Sequence, residues 1–283
     1  MIVWAGRDFN GGLNTGGRYC AEPPCVAAHL DNISTRASVQ TGQGVAIAGF
    51  TITGTLPKQI VIRGLGPSLG NFIPNGIFLN DPGLSLYDSS GALIFSNNDW
   101  KDTQQGAIQA TGLAPSFDVE SAIRITLQPG RYTAILSATG HLQIFGLGLV
   151  EVYDMNPGTS AELTNVSTRG RVGGGDEVMI AGFISNGSTQ VLVRGLGPTL
   201  AQLGVLDALA DPVVTLVDGN GNVVLTNDNW KDTDEAAITA TGKAPPNDLE
   251  AAILAPVAAG NYTAILSGNG GATGIGLVEI YKL

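Results

Sequence analysis

Charge is scarce in this sequence: Asp, Glu, Lys and Arg make up 13% of 283 residues, about half the roughly 25% of an ordinary soluble domain. What charge there is leans acidic, 24 Asp and Glu against 14 Lys and Arg, for a net charge of −10. The basic residues form no patch or stripe to neutralise phosphates, so nucleic acid and anionic membranes are poor candidate partners. Long apolar runs are missing as well. Mean hydropathy is +0.19, yet the most apolar stretch, Ala134 to Tyr153, is broken by Ser137, Thr139, His141, Gln143 and Glu151, and no membrane insertion is expected.

Cysteine and histidine are nearly absent: the chain holds Cys20, Cys25, His29 and His141. One Cys-x4-Cys pair, with no further cysteine and no well-spaced histidines, makes no zinc site. It does suit a small disulfide loop stiffened by Pro23-Pro24, and a Cys20–Cys25 disulfide is expected in an oxidising compartment. No signal peptide is readable at Met1-Ile-Val-Trp4, which is too short for an h-region and lacks a basic n-region. The chain is then either cytoplasmic or a processed exported form, and the cysteine pair favours export. Helix-forming runs are also rare. In their place stand 40 glycines and 14 prolines, the composition of an all-β chain with many turns.

What the sequence has in abundance is itself. Asn97-Asn-Asp-Trp-Lys-Asp-Thr103 returns as Asn227-Asp-Asn-Trp-Lys-Asp-Thr233, and Asn32-Ile-Ser-Thr-Arg36 as Asn165-Val-Ser-Thr-Arg169. Arg63-Gly-Leu-Gly-Pro67 returns as Arg194-Gly-Leu-Gly-Pro198, and Tyr132-Thr-Ala-Ile-Leu-Ser137 as Tyr262-Thr-Ala-Ile-Leu-Ser267. The landmarks keep their order and their offsets barely drift, which is the signature of one module present twice. Residues 1–29 form an arm outside both copies, residues 30–154 the first repeat, 155–163 a linker carrying Asn156-Pro-Gly158, and 164–283 the second repeat.

In the second repeat, β-branched and aromatic runs predict strands at 165–172, 177–185, 190–194, 213–218, 222–226, 251–257, 261–267 and 274–282. Asp218-Gly-Asn-Gly221 predicts a hairpin turn, and Thr233–Thr241, with acids at its start, the one helical turn. Short strands at this spacing predict an all-β fold: two tandem jelly-roll-like β-sandwich domains with an N-terminal extended arm, each sandwich independent of the other.

Val214-x-Leu216-x-Asp218-x-Asn220-Gly221, Glu250-x-Ala252-Ile253 and Ala259-Gly260-x-Tyr262-Thr263, with the matching stretch Asp81–Tyr153 of the first repeat, resemble the pre-peptidase C-terminal (PPC-like) domains of secreted bacterial proteins. The resemblance implies a secreted β-sandwich and implies no activity. No peptidase or other catalytic domain accompanies these modules here.

The motifs that suggest chemistry are thin. Gly66-Pro-Ser68-Leu-Gly70 has the spacing of a nucleophile elbow, but the second copy reads Gly197-Pro-Thr199-Leu-Ala201 and no histidine recurs, so a turn is expected. Gly173-Gly174-Gly175 lacks the Lys-Ser/Thr of a phosphate cradle. Asp218-x-Asn220-x-Asn222 lacks the glycine and the bidentate glutamate of a calcium loop. The acids kept in both copies, Asp102, Asp118 and Glu120 with Asp232, Asp248 and Glu250, leave two readings open. They are oxygen ligands for Ca²⁺ on neighbouring loops, or they cap turns by side-chain-to-backbone hydrogen bonds while Trp100 and Trp230 cover the core edge. Arg63 and Arg194 are expected to pair with a kept carboxylate such as Glu120 or Glu250. Tyr132 and Tyr262 are expected against the core with their hydroxyls satisfied nearby.

Nothing here supports an enzyme, and no cofactor is expected beyond the calcium reading. Low charge with positive hydropathy favours self-association. The arm, apolar at Ile2, Val3 and Trp4, suits strand addition to the open edge of a neighbouring sheet, a head-to-tail contact that propagates. The sequence therefore predicts the structural subunit of an extracellular filament or surface assembly, with itself as partner. The alternative is a calcium-dependent adhesion or carbohydrate-binding module of a secreted protein.

Overall fold

The computed structural model describes residues 29–74, 76–139 and 144–283. Ile2, Val3, Trp4, Cys20, Cys25 and the rest of the arm up to residue 28 lie outside the described residues, as does His141. The first repeat contributes β1 (Leu30–Val39), β2 (Ala46–Gly54), β3 (Lys58–Leu65), β4 (Pro82–Asp88), β5 (Leu93–Asn97), α1 (Lys101–Gln109), β6 (Ser121–Leu127), β7 (Gly130–Ala138) and β8 (Gly146–Asp154). The second contributes β9 (Ala161–Val172), β10 (Met179–Ser185), β11 (Thr189–Leu196), α2 (Pro198–Gln202), β12 (Pro212–Asp218), β13 (Val223–Asn227), α3 (Glu235–Ala240), β14 (Ala251–Val257), β15 (Gly260–Gly268) and β16 (Gly274–Lys282). The chain is nearly all β and antiparallel, as its composition predicts. The strand that opens the second repeat starts at Ala161, inside the stretch read as a linker.

Alternation builds most of these strands. Along β10, Met179, Ala181, Phe183 and Ser185 are buried and the residues between them are not, as a two-residue period requires. The central strands break that pattern: Ile60, Val61 and Ile62 of β3 and Val191, Leu192 and Val193 of β11 are all fully buried. Their outer face is roofed by the repeated segment around Trp100 and Trp230. Trp100 packs with Ile108 and Ala122 over the first repeat, and Trp230 with Ile238, Ala252 and Leu192 over the second. A strand covered on both faces reads as a continuous apolar run. The Arg-Gly-Leu-Gly-Pro turn that ends each of these strands needs its second glycine. A Cβ on Gly66 would lie 2.0 Å from the Leu79 carbonyl oxygen, and one on Gly197 1.9 Å from that of Leu209.

The pairing order corrects the expectation of independent sandwiches. Strands β6, β3, β8 and β1 pair side by side, and the sheet then continues through β10, β15, β12 and β13 of the other repeat. Conversely, β14, β11, β16 and β9 continue through β2, β7, β4 and β5. Where the two runs touch, Ser38 of β1 faces Arg171 of β9, which joins all sixteen strands. Each repeat thus lends its first strand to one sheet and its second strand to the other, and the exchange is the same in both directions. The apolar core follows: one cluster holds Leu30, Ile62 and Leu136 together with Met179, Val193 and Leu266. A Cβ on Gly170 would sit 3.0 Å from that of Ala37 and 3.3 Å from the Met179 methyl. Truncating a buried residue such as Ile62 to Ala costs about 2–5 kcal/mol in such a core.

Candidate functional site

The seams where one repeat's sheet runs into the other's place the same residues side by side twice. On the solvent face of the β16–β9–β2–β7 run, Arg194, Glu279, Ser167, Gly49 and Thr133 lie in one cross-strand row. Tyr281, Asn165, Thr51 and Arg131 lie in the next. On the β8–β1–β10–β15 run the rows read Arg63, Glu151, Ser34, Gly182 and Thr263, then Tyr153, Asn32, Ile184 and Asn261. Glycine lets the serine hydroxyl lie over the neighbouring strand where the two cross. A Cβ on Gly49 would meet the Ser167 hydroxyl at 2.5 Å, and one on Gly182 the Ser34 hydroxyl at 2.7 Å.

The flank of each seam is a three-residue ionic unit. Arg194 donates from Nε to Glu279 Oε2 at 2.9 Å and from Nη2 to the same oxygen, while Tyr281 donates to Glu279 Oε1 at 2.9 Å. Arg63 donates to Glu151 from Nε at 2.8 Å and from Nη2, and Tyr153 donates to Glu151 Oε1 at 2.9 Å. Each arginine also holds a loop carbonyl, Leu113 in the first repeat at 3.2 Å and Lys243 in the second at 2.7 Å. Burial, with the neighbouring Glu carboxylate adding to it, pushes both phenols, Tyr153 and Tyr281, up to about 12. These phenols are therefore protonated donors at neutral pH.

One of the two seams opens into a groove of about 530 Å³, lined by Thr51, Arg131, Thr133, Asn165, Ser167, Lys243 and Tyr281 among others. Lys243 sits with its ammonium 5.0 Å from the Tyr281 ring centroid, a cation–π contact. Lys282 at the groove's end pairs with Glu162 at 2.7 Å. The equivalent positions of the other seam carry Leu113, Asn261 and Asp154 in place of Lys243, Arg131 and Lys282, and Asp154 is paired with Lys58 at 2.6 Å.

The residues singled out from the sequence fall elsewhere. Glu120 is fully buried and accepts from the Gly66 and Ser68 amides at 3.0 and 2.8 Å and from the Ser68 hydroxyl at 2.6 Å. Glu250 accepts from the Gly197 and Thr199 amides, the Thr199 hydroxyl and the Asn247 amide. These carboxylates therefore tie down the Gly-Leu-Gly-Pro turns. The expected pairing of Arg63 with Glu120 and of Arg194 with Glu250 is corrected: the arginines face Glu151 and Glu279, their direct cross-strand neighbours. Asp118 pairs with Lys101 at 2.5 Å and Asp248 with Lys231 at 2.6 Å, all on the surface. Asp102 stands in the first turn of α1, and Asp232 ends the 3-10 turn Trp230–Asp232. Among the described residues no group of three or more His, Cys, Asp and Glu is placed to hold a metal ion.

Ser68, the centre of the elbow-like pattern, is a buried turn residue in a short 3-10 segment. Asp218 accepts from the amides of Asn220 and Asn222, both at 2.9 Å, and so closes the β12–β13 hairpin. Tyr132 and Tyr262 stack on Phe50 and Phe183, and their hydroxyls bond the Gln128 carbonyl and the Ala258 amide. The groove itself was not anticipated. Its sequence signal is that lining positions differ between the copies: the three above, and Thr164 and Thr51 against Asp31 and Ile184.

No family model matches this chain, and no curated protein matches it. Among solved structures, one of PNGF-II is 9% identical over 89% of this chain, with a TM-score of 0.20. This chain spans 60% of that structure's length. At that level the likeness carries no argument about fold or activity.

Proposed function

We propose that this chain is an exported, non-enzymatic structural subunit that assembles head-to-tail into a filament or surface layer. The observation that supports this reading is an unprotected sheet edge. Of the four outer strands, β6 has its outward backbone groups occupied. The Arg124 amide and carbonyl bond the Gln104 side chain, both at 2.8 Å, and the Ala122 amide bonds Asn97 Oδ1 at 2.9 Å. In β14 the Ala252 amide is taken by Asn227 Oδ1 at 2.8 Å, and Pro256 removes a donor. At β5, Ile94 and Phe95 pack against the core. By contrast β13 exposes Val223, Val224 and Leu225 in succession, at 63%, 38% and 44%, with no charge, proline or covering segment among the described residues.

An open apolar edge of this kind accepts an added strand. The occupant is the N-terminal arm of a neighbouring chain, with Ile2, Val3 and Trp4 as its anchor, a heterologous contact that propagates unless its rotation closes a ring. The resemblance to modules of secreted proteins supports export.

Three forms of the protein test the proposal by sedimentation and electron microscopy: the full chain, a chain lacking residues 1–15, and full-length Val224→Lys. Filaments from the first and folded monomers from the other two are expected. Filaments from the truncated chain, or a full chain that stays monomeric at every concentration, would show the proposal to be wrong.

A further inference from the structure

The two seams share one backbone scaffold and differ in what lines it. In the groove beside Tyr281, Arg131 is exposed and Lys243 half-buried. Among the described residues neither has a carboxylate within salt-bridge distance. Lys282 is balanced by Glu162 and Glu279 by Arg194, so the two unpaired cations set the sign of the groove. This occurs on a chain of net charge −10, where chance placement favours the opposite sign. The twin seam, with Leu113 and Asn261 at the matching positions, shows that the scaffold folds without either cation. Folding therefore does not explain Arg131 and Lys243.

The rest of the lining says what else the ligand carries. Thr51, Thr133 and Ser167 bring hydroxyls whose side chains have no protein partner among the described residues. Asn165 gives its amide N–H to the Ile280 carbonyl at 3.2 Å, and its side-chain oxygen stays available. A groove of about 530 Å³ is in the size range of sites for extended small ligands, and far larger than an inorganic anion. Fixed cations beside a row of uncommitted hydroxyl and amide groups match a molecule that is both anionic and polyhydroxylated.

We propose that this groove binds an acidic oligosaccharide. Arg131 and Lys243 receive its carboxylates, and Thr51, Thr133, Asn165 and Ser167 bond its hydroxyls. Lys243 is already held over the Tyr281 ring, so it loses less side-chain freedom on binding than a free lysine would. Among the described residues, none of β13, the edge proposed for assembly, lines the groove.

Calorimetric titration of the full chain with a short oligogalacturonate, a neutral maltooligosaccharide of equal length and sodium sulfate tests the proposal. The informative variant is Arg131→Asn with Lys243→Leu, which copies residues the twin seam already tolerates; Asn261→Ala in the twin seam is the control. The full chain is expected to bind oligogalacturonate, and to bind it less tightly as salt rises. The double variant is expected to bind about tenfold more weakly, the loss of two charge contacts, with Asn261→Ala unchanged. No binding of oligogalacturonate, equal binding of the neutral oligosaccharide, equal affinity in the double variant, or binding of sulfate alone would each overturn the proposal.

Discussion

The hydroxyl of Thr168 donates a 2.7 Å hydrogen bond to the hydroxyl of Thr35, and both residues are buried. They are the same residue of the repeated Asn-x-Ser-Thr-Arg segment, 133 positions apart. Two equivalent atoms meet this way only on a local two-fold axis relating the repeats. The axis passes between β1 and β9, where each repeat hands a strand to the other's sheet.

That pair gives the first prediction. Thr35→Val or Thr168→Val alone leaves a buried hydroxyl without its partner and costs about 1–3 kcal/mol, whereas the double replacement recovers most of the loss. Urea denaturation of the four members of the cycle checks this. Equal and additive losses would mean that the bond contributes nothing.

Lys58 and Asp154 form a buried ion pair, their side chains 0% and 1% exposed, and Lys58 also donates to the Asn156 carbonyl at 3.1 Å. Lys58→Met strands the Asp154 charge and is expected to cost about 3–5 kcal/mol, while adding Asp154→Leu restores much of it. Thermal and urea midpoints of the single and double variants decide.

The two turn-binding glutamates are expected to respond unequally to Glu→Gln. At Glu120, Oε2 meets only the Ser68 hydroxyl, which can rotate to accept from a glutamine amide. At Glu250, Oε2 also accepts from the Asn247 amide at 3.2 Å, and a glutamine N–H placed there faces another N–H. Glu250→Gln is expected to lose about 1–3 kcal/mol and Glu120→Gln less. Denaturation midpoints that reverse this order would contradict the hydrogen-bond assignment.

Tyr153 and Tyr281 govern the alkaline limit. Their folded values, about 12, lie above the ordinary phenol near 10. Between these values the unfolded chain has lost protons that the folded chain keeps. Their contribution to stability is therefore complete below about pH 10 and disappears as pH rises towards 12. Phenolate absorbance should show Tyr153 and Tyr281 titrating last among the six tyrosines, with Tyr132 also raised by burial, and Tyr281→Phe should remove one of the two latest.

Strand positions were legible because alternation of apolar and polar residues depends on local geometry. The eight runs read in the second repeat match β9 to β16 within a few residues, and the turn at Asp218 and the helix at Glu235–Ala240 fall where expected. Which edges meet was not legible. The pattern of β1 says which face is buried, and it is indifferent to whether β10 or β2 lies alongside. The partner of Arg63 was misread for a related reason: Glu151 is 88 residues away, and only the β3–β8 register makes it adjacent. In the groove, Arg131 and Lys243 come from opposite repeats, so no stretch of sequence holds them together. The calcium reading weighed the kept acids by residue type. In the folded chain Glu120 and Glu250 face backbone amides, and Asp118 and Asp248 face lysines.

The exchange of strands across the local axis also means that one repeat is half of its own two-fold dimer. A lone copy would present an unpaired β1 edge and an unpaired β2 edge, and a second copy would satisfy both through an isologous contact. The short connection from Asp154 to Ala161 turns that bimolecular meeting into an intramolecular one at an effective concentration of order millimolar. Joining two copies in one chain also frees the seams to differ, so one carries Leu113 and Asn261 where the other carries Lys243 and Arg131.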